Sequence, residues 1–430
     1  MRRYVGLDLH KRSVAVCILD EQGQRLWRGK VDCGREALLA FARQRLTPED
    51  HVAMEATTNT WAVLELLEPH VAEVVVGNPM KTKAIAESSI KTDKVDAEVL
   101  AQLLRCGYLP TVWHPDKSTR RLRKLTTMQA TLTKEQTRVK NRIHAVLAQL
   151  LITPPMATLF SQAGLKWLAQ LELPADDRLA IDMHLQRLEA VQQQIAEVEA
   201  KLAELAHADP SARLLMTLPG FNFACAQALL AALGELSRFN DGDHAASYLG
   251  LVPATRQSAN HCHHGRITKA GRTHARWMLT QAAQHAGRHP GPLGVFFRRL
   301  ARRKGRNVAV TATARKLVTI AFLMLKHNEP YRYALPEPTQ RKLADLDRRV
   351  GARKRRYERV EGLSRQHREP GTRVRNIRSL PQVYEREGLP AAREPMHLPR
   401  GERRMLNEHG VEEHHQRIQS PQQRISRRRS

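Results

Sequence analysis

Three short apolar runs open the chain, at residues 4–9, 13–19 and 24–32, separated by the polar turns His10-Lys11-Arg12 and Asp20-Glu21-Gln22-Gly23. Runs of this length between turn formers predict strands in an antiparallel meander. Leu38, Leu39, Ala42 and Leu46 then recur at helical spacing over 35–46. His51 to Met54 reads as a short strand ending at Glu55, residues 60–67 as a helix, and Val71 to Gly77 as a strand of nearly pure valine. Strands alternating with helices after a meander predict a mixed α/β sheet. A further helix is expected over 93–107, with Val95, Val99, Leu100, Leu103 and Leu104 on one side.

The period changes near residue 118. Residues 118–150 are strongly helical and basic, without Gly or Pro. Leu185, Leu188, Val191, Ile195, Val198, Leu202 and Leu205 then follow near-heptad spacing within 178–207. Pro154-Pro155, Gly164 and Pro174 fall between them, so two long helices with an irregular connector, a helical hairpin or coiled-coil arm, are predicted. Leu218-Pro219-Gly220 before an Ala/Leu-rich helix resembles a helix-hairpin-helix element, whose Gly turn lets backbone N–H groups approach a phosphate. Residues 243–290 read as a small domain dense in His, Gly, Arg and Ser, and 308–326 as a last core helix. Past about residue 338 arginine and lysine dominate and apolar periodicity fades, which predicts a mostly disordered basic tail. The expected domains are 1–112, 113–210, 211–335 and the tail 336–430.

Composition narrows the partners. The formal net charge is +27 over 430 residues, which attracts a polyanion, most simply nucleic acid. Aromatic residues make up only 5%, against a base-stacking single-strand platform as the main device. The five cysteines are scattered with no CxxC pair, which fits a reducing cytoplasm better than a disulfide framework or a four-cysteine zinc site. No apolar run reaching roughly 18 residues is read, so no membrane span is expected.

Asp8 interrupts the first apolar run, and a carboxylate buried there needs a cation or a donor. Glu55 ends another strand. Asp93 and Asp96 stand three apart at a helix start, on one face. Four oxygen ligands near one point suit Mg²⁺ or Mn²⁺, and two such ions can clamp the oxygens of a phosphodiester in displacement. Each acid also has an ordinary reading: Asp8 starting a turn, Glu55 on the surface, Asp93 at a helix dipole, Asp96 beside lysines.

Gly6-Leu7-Asp8, Met54-Glu55-Ala56 and Lys91-Thr92-Asp93-Lys94-Val95-Asp96-Ala97 together resemble the DEDD-type transposases of bacterial insertion sequences. The resemblance covers roughly residues 1–330. It implies a RuvC-like, ribonuclease-H-fold domain carrying Asp8, Glu55, Asp93 and Asp96 as catalytic metal ligands, then a coiled-coil arm, then a small, mostly α C-terminal domain with a catalytic serine. Tyr248-Leu249-Gly250-Leu251-Val252-Pro253 and Gly265-Arg266-Ile267-Thr268-Lys269-Ala270-Gly271 resemble the segments that flank that serine, and Ser258 is the only serine between them. Family members usually carry Gly after it; Ala259 stands here. Arg266, Lys269 and Arg276 would neutralise phosphoryl charge. The resemblance further implies a bridge RNA that pairs with donor and target DNA, and a homo-oligomer, dimer or tetramer, in which acids of one subunit meet the serine of another.

His261-Cys262-His263-His264 is contiguous, too tight for known zinc spacings, and reads as a solvated or phosphate-facing loop. Lys81 and Lys83 are candidate phosphate contacts or ordinary surface lysines. Arg120, Arg123, Lys124, Arg138 and Arg142 on the first long helix can track a nucleic-acid backbone, or form a solvated face. Three readings follow: a DNA recombinase using Ser258, a RuvC-like junction nuclease using water, or an inactive nucleic-acid-binding remnant.

Overall fold

The structure, a computed structural model, describes residues 2–85, 93–258, 261–353, 372–393, 407 and 411–427. The chain divides into two compact units, Met1–Pro115 and Asp116–Ser430.

In the first unit the expected meander forms β1 (Arg3–Leu9), β2 (Ser13–Leu19) and β3 (Arg25–Asp32). Then come α1 (Arg35–Arg45), β4 (Asp50–Glu55), α2 (Thr60–Leu67), β5 (Glu73–Gly77), α3 (Pro79–Ile85) and α4 (Asp93–Arg105). The five strands make one mixed sheet in the order β3-β2-β1-β4-β5, consistent with the RuvC-like expectation. β1 pairs antiparallel with β2 and parallel with β4.

Strand alternation sends side chains to two faces. Val5, Leu7, Val16, Ile18, Val52 and Met54 pack with Leu38 and Phe41 of α1 and Val63, Leu64 and Leu67 of α2. On the other face Ala15, Cys17 and Leu19 meet Ala97 and Ala101 of α4, and Ala53 meets Leu100. The close approach of α4 depends on Gly6. A Cβ there would lie 1.9 Å from the Ala97 carbonyl oxygen and 2.7 Å from the Ala101 nitrogen. Arg25 and Arg28 of β3 both reach Glu98, at 3.3 and 2.8 Å. Gln102 donates to the Gly23 carbonyl in the β2–β3 turn, which lies by the start of β1. So α4 runs antiparallel to β1, and its first turn lies toward the end of β1.

The second unit begins with α5 (Lys117–Gln149) and α7 (Ala175–Ala208), with α6 (Gln162–Gln170) in the connector read as irregular. α5 and α7 pack antiparallel: Arg187 pairs with Glu135, and Gln129 Nε2 reaches Glu199 at 3.2 Å. Val139, Ile143 and Leu147 close one end of the pair against Ile181, Leu188, Leu159 and Leu168. Then follow α8 (Pro210–Leu215), α9 (Phe223–Leu233), α10 (Gly242–Tyr248), a hairpin of β6 (Pro253–Ser258) and β7 (His261–Ile267), α11 (Thr273–Ala286), α12 (Pro292–Lys304) and α13 (Arg306–His327). The turn holding Gly220 does not keep its backbone for phosphate alone. It crosses α11, where a Cβ on Gly220 would lie 2.4 Å from the Ala282 carbonyl oxygen. By length and composition α13 is apolar enough to cross a membrane, contrary to the sequence expectation, and its Ala314, Leu317, Val318 and Ala321 are buried in the unit's core.

The tail expectation is corrected. Residues past 335 form α14 (Pro336–Arg349), β8 (Thr372–Ile377), α15 (Leu380–Arg386), α16 (Val411–Gln419) and β9 (Gln422–Arg427). Leu343, Leu346, Leu380, Tyr384, Val411 and Ile418 enter the same core as α9, α11 and α13. Tyr384 donates its hydroxyl to the Tyr331 carbonyl at 2.6 Å. The physical reason is that few apolar residues suffice when they share a stripe. Thr339, Leu343 and Leu346 fall on one helical face inside an Arg/Lys-rich composition. Of the tail's basic runs Arg353-Lys354-Arg355-Arg356 and Arg427-Arg428-Arg429, positions 354–356 and 428–429 lie outside the described residues.

Candidate active site

Asp8 and Glu55 are neighbours in register. Leu7 pairs with Met54 in the parallel β1–β4 ladder, and each acid is the next residue along its strand. Both fall on the face that α4 covers: Asp8 pairs with Ala15, and Glu55 stands two residues after Ala53. Asp96 stands four before Leu100 and one before Ala97, on the turn of α4 nearest the end of β1. The carboxyl ends of parallel strands are where open sheets present functional groups. Asp93 opens α4, and its side chain lies outside the described residues.

Asp8 is one-fifth exposed, and the His10 Nε2 stands 3.0 Å from its Oδ2. Sequence reading put His10 only in a turn; its alternation with Asp8 on an extended segment was the available signal. The Glu55 carbonyl accepts from the Thr60 hydroxyl at 2.9 Å, which ties the strand end to the start of α2. Among the described residues no group of three or more His, Cys, Asp or Glu side chains could hold a metal ion as placed. The donor set of Asp8, Glu55 and Asp96 is all oxygen, which fits a hard divalent cation in chemistry.

In the second unit Ser258 ends β6 and pairs with His261, so it stands at the tip of the hairpin. Its side chain lies outside the described residues, as does Ala259. The two motif segments flanking the hairpin are stacked backbone on backbone. A Cβ on Gly250 would lie 2.3 Å from the Ala270 nitrogen, and one on Gly271 would lie 2.2 Å from the Tyr248 carbonyl oxygen. Arg276 clamps this crossing by donating to the carbonyls of Leu249, at 3.1 Å, and Ala270. Arg276 is 9% exposed, and burial lowers its pKa. The expectation that it neutralises phosphate is therefore corrected: its donors face inward. Arg266 and Lys269 are exposed beside the hairpin. His261 to His264 form strand β7, correcting the loop expectation, with Cys262 and His263 exposed.

Arg123 is corrected in the same way. It donates to the carbonyls of Ala231 at 2.8 Å and Ala232 at 3.3 Å, at the end of α9, and burial lowers its pKa. Lys124, Arg138 and Arg142 are exposed along α5, and Arg120 is partly covered. Lys81 is exposed on α3; the Lys83 side chain lies outside the described residues. A basic face that sequence reading passed over is α12 and the start of α13. Arg299, Arg302, Arg303, Lys304 and Arg306 are all exposed there. The signal was legible, since no Asp or Glu occurs between Asp243 and Glu329.

Comparison with known proteins agrees with this layout. Residues 5–152 match the DEDD-type IS110 transposase family, and residues 212–295 match the family described as transposase IS116/IS110/IS902. The transposase for insertion sequence element IS1328 of Yersinia enterocolitica is 25% identical over 335 residues, covering 74% of this chain and 96% of that protein. The pilin gene-inverting protein of Moraxella bovis is 25% identical over 345 residues, covering 77% and 98%. The transposase for IS1111A of Coxiella burnetii is 22% identical over 345 residues, covering 77% and 91%. With both of the family's segments present in order, the chain belongs to the IS110/IS116/IS902 family of DEDD-type transposases and is a DNA transposase or recombinase.

Proposed function

We propose that this protein cuts and rejoins DNA strands with Ser258 as nucleophile and with Asp8, Glu55, Asp93 and Asp96 holding Mg²⁺ or Mn²⁺. The observation that carries the reading is the adjacency of Asp8 and Glu55 at the ends of two parallel strands, under the first turn of α4. A divalent cation held there supplies positive charge against the charge that develops on the phosphoryl oxygens. Ser258 loses its proton and forms a bond to phosphorus, while one strand oxygen leaves and takes up a proton. The phosphoserine keeps the energy of the broken ester, so a hydroxyl from a second strand end can displace Ser258 without ATP. Arg266 and Lys269, exposed beside the hairpin, support the reading by offering cations near that transfer.

Lys81, Lys83, Arg120, Lys124, Arg138 and Arg142 hold the phosphate backbone in a salt-dependent, sequence-tolerant way. Sequence choice then falls to a structured guide RNA, read by base pairing, with α5 and α7 acting as a coiled-coil arm in a homo-oligomer. The protein works where the DNA is, in the cytoplasm of a bacterial cell. Incubation with DNA, guide RNA and Mg²⁺ tests this: a covalent protein–DNA adduct forms, and Ser258→Ala abolishes it while Asp8→Asn lowers its rate by at least about a hundredfold. Unlinked phosphate ends from the Ser258→Ala variant at the wild-type rate would overturn the serine assignment and leave a nuclease using water.

A further inference from the structure

A cavity of about 480 Å³ in the second unit lies between the turn at 217–222, the end of α11 and the start of α14. Its lining residues fall outside both motif segments, 248–253 and 265–271, and none of them is acidic. Lys342, Arg288, His285 and His289 supply nitrogen to it, and Asn222 and Thr339 supply polar side chains. Pro219, Phe221, Leu335 and Pro338 supply apolar wall. The Lys342 amine donates to the Leu218 carbonyl at 2.9 Å, which holds it at the turn that lines the cavity. His289 is 6% exposed, and its Nδ1 accepts from the Gly291 N–H at 3.0 Å. The ring proton therefore sits on Nε2, which is buried and has no hydrogen-bond partner among the described residues.

We propose that this cavity binds one nucleotide unit, its phosphate against Lys342 and Arg288, its ring against the proline and leucine wall. The volume falls within the usual range for small-ligand sites, which pair apolar walls with a few convergent polar groups. An anion is selected because donors line the cavity without a carboxylate to repel it. The phosphate comes either from a free mononucleotide or from the end of a nucleic-acid strand. α14, which carries Lys342, lies outside both family matches. Part of the Lys342 side chain stays accessible, yet its amine is enclosed, and burial brings its pKa down to about 7. Above neutral pH the empty site is uncharged at this lysine, and an arriving phosphate recruits a proton to it.

The test uses the full chain in EDTA, so that metal-dependent chemistry at Asp8 and Glu55 has no bearing on it. Inorganic phosphate, a deoxynucleoside 5′-monophosphate, and short single-stranded oligonucleotides with and without a 5′-phosphate are titrated by calorimetry. The mononucleotide or the 5′-phosphorylated strand binds, and Lys342→Met weakens it at least about tenfold, as expected for one charged hydrogen bond lost. Titrations of the wild type at pH 8 in buffers of differing ionisation enthalpy read uptake of up to about one proton, a readout that needs no variant to fold. Dependence on the oligonucleotide's terminal phosphate identifies a strand end as the source; equal binding of the mononucleotide identifies the free nucleotide. Binding of inorganic phosphate alone, binding unchanged in Lys342→Met, or binding without proton uptake would each overturn the proposal.

Discussion

Gly6 shows how a position without a side chain sets the packing beside the candidate carboxylates. Two residues before Asp8, it admits the backbone of α4, and a Cβ there would stand 1.9 Å from the Ala97 carbonyl oxygen. Gly6→Ala must therefore push α4 outward. Urea denaturation is expected to show a loss of about 2–3 kcal/mol, and strand transfer should fall with it because Asp96 moves away from Asp8 and Glu55. Stability unchanged in Gly6→Ala would mean that α4 does not seat there. Lys342 makes the opposite kind of prediction, a stabilising removal. Its folded pKa of about 7 lies below the ordinary value of 10.5. Below pH 7 both folded and unfolded chains hold the proton, so the full burden of enclosing the ammonium falls on the fold. As pH rises from 7 toward 10.5 the folded chain releases the proton that the unfolded chain keeps, and stability increases. Lys342→Met should thus raise the melting temperature most near pH 6, with the difference shrinking through that window. A difference that grows with pH would contradict the assignment.

Between elements, several arginines act as clamps. Arg123 joins α5 to the end of α9 through the Ala231 and Ala232 carbonyls, where a cation is favoured at a helix C-terminus. Arg276 holds the Gly250 and Gly271 crossing at the base of the β6–β7 hairpin. Arg123→Met should lower stability by about 2–3 kcal/mol, yet leave the salt slope of DNA binding unchanged. Lys124→Ala, at an exposed position of α5, should leave stability within about 0.5 kcal/mol and reduce that slope by about one. The two variants separate a structural cation from a phosphate contact, and filter binding across a salt series reads the difference. Strand and helix limits were legible because period and turn residues act locally: β1, β2 and β3 lie within a residue or two of the runs that announce them. The role of each arginine was not, because a guanidinium faces a carbonyl or a solvent only once a distant segment has packed.

At the level of the whole chain, the strongest consequence concerns the region past residue 335. Leu343, Leu346, Leu380, Tyr384, Val411 and Ile418 are buried in the core of the second unit. Each such side chain contributes about 1.5–3 kcal/mol by burial, against a net stability of about 5–15 kcal/mol for a typical domain. A chain ending at residue 335 is therefore expected to lose cooperative unfolding in the second unit and to become protease-sensitive there, while the first unit keeps its transition. Limited proteolysis with mass analysis checks this; a truncated chain as resistant as the full one would show the segment to be dispensable. Residue order alone carried the alternation of strands and helices, the positive charge that calls for a nucleic-acid partner, and the acids and serine set in recognisable motifs. Those features depend on neighbours a few positions apart. The meeting of Asp8 with Glu55, the inward turn of Arg123 and Arg276, and the conversion of a basic tail into core had to await folding. Much of that burial and pairing is set by segments that meet only on folding, from tens to more than a hundred residues apart, and no local pattern records their arrival.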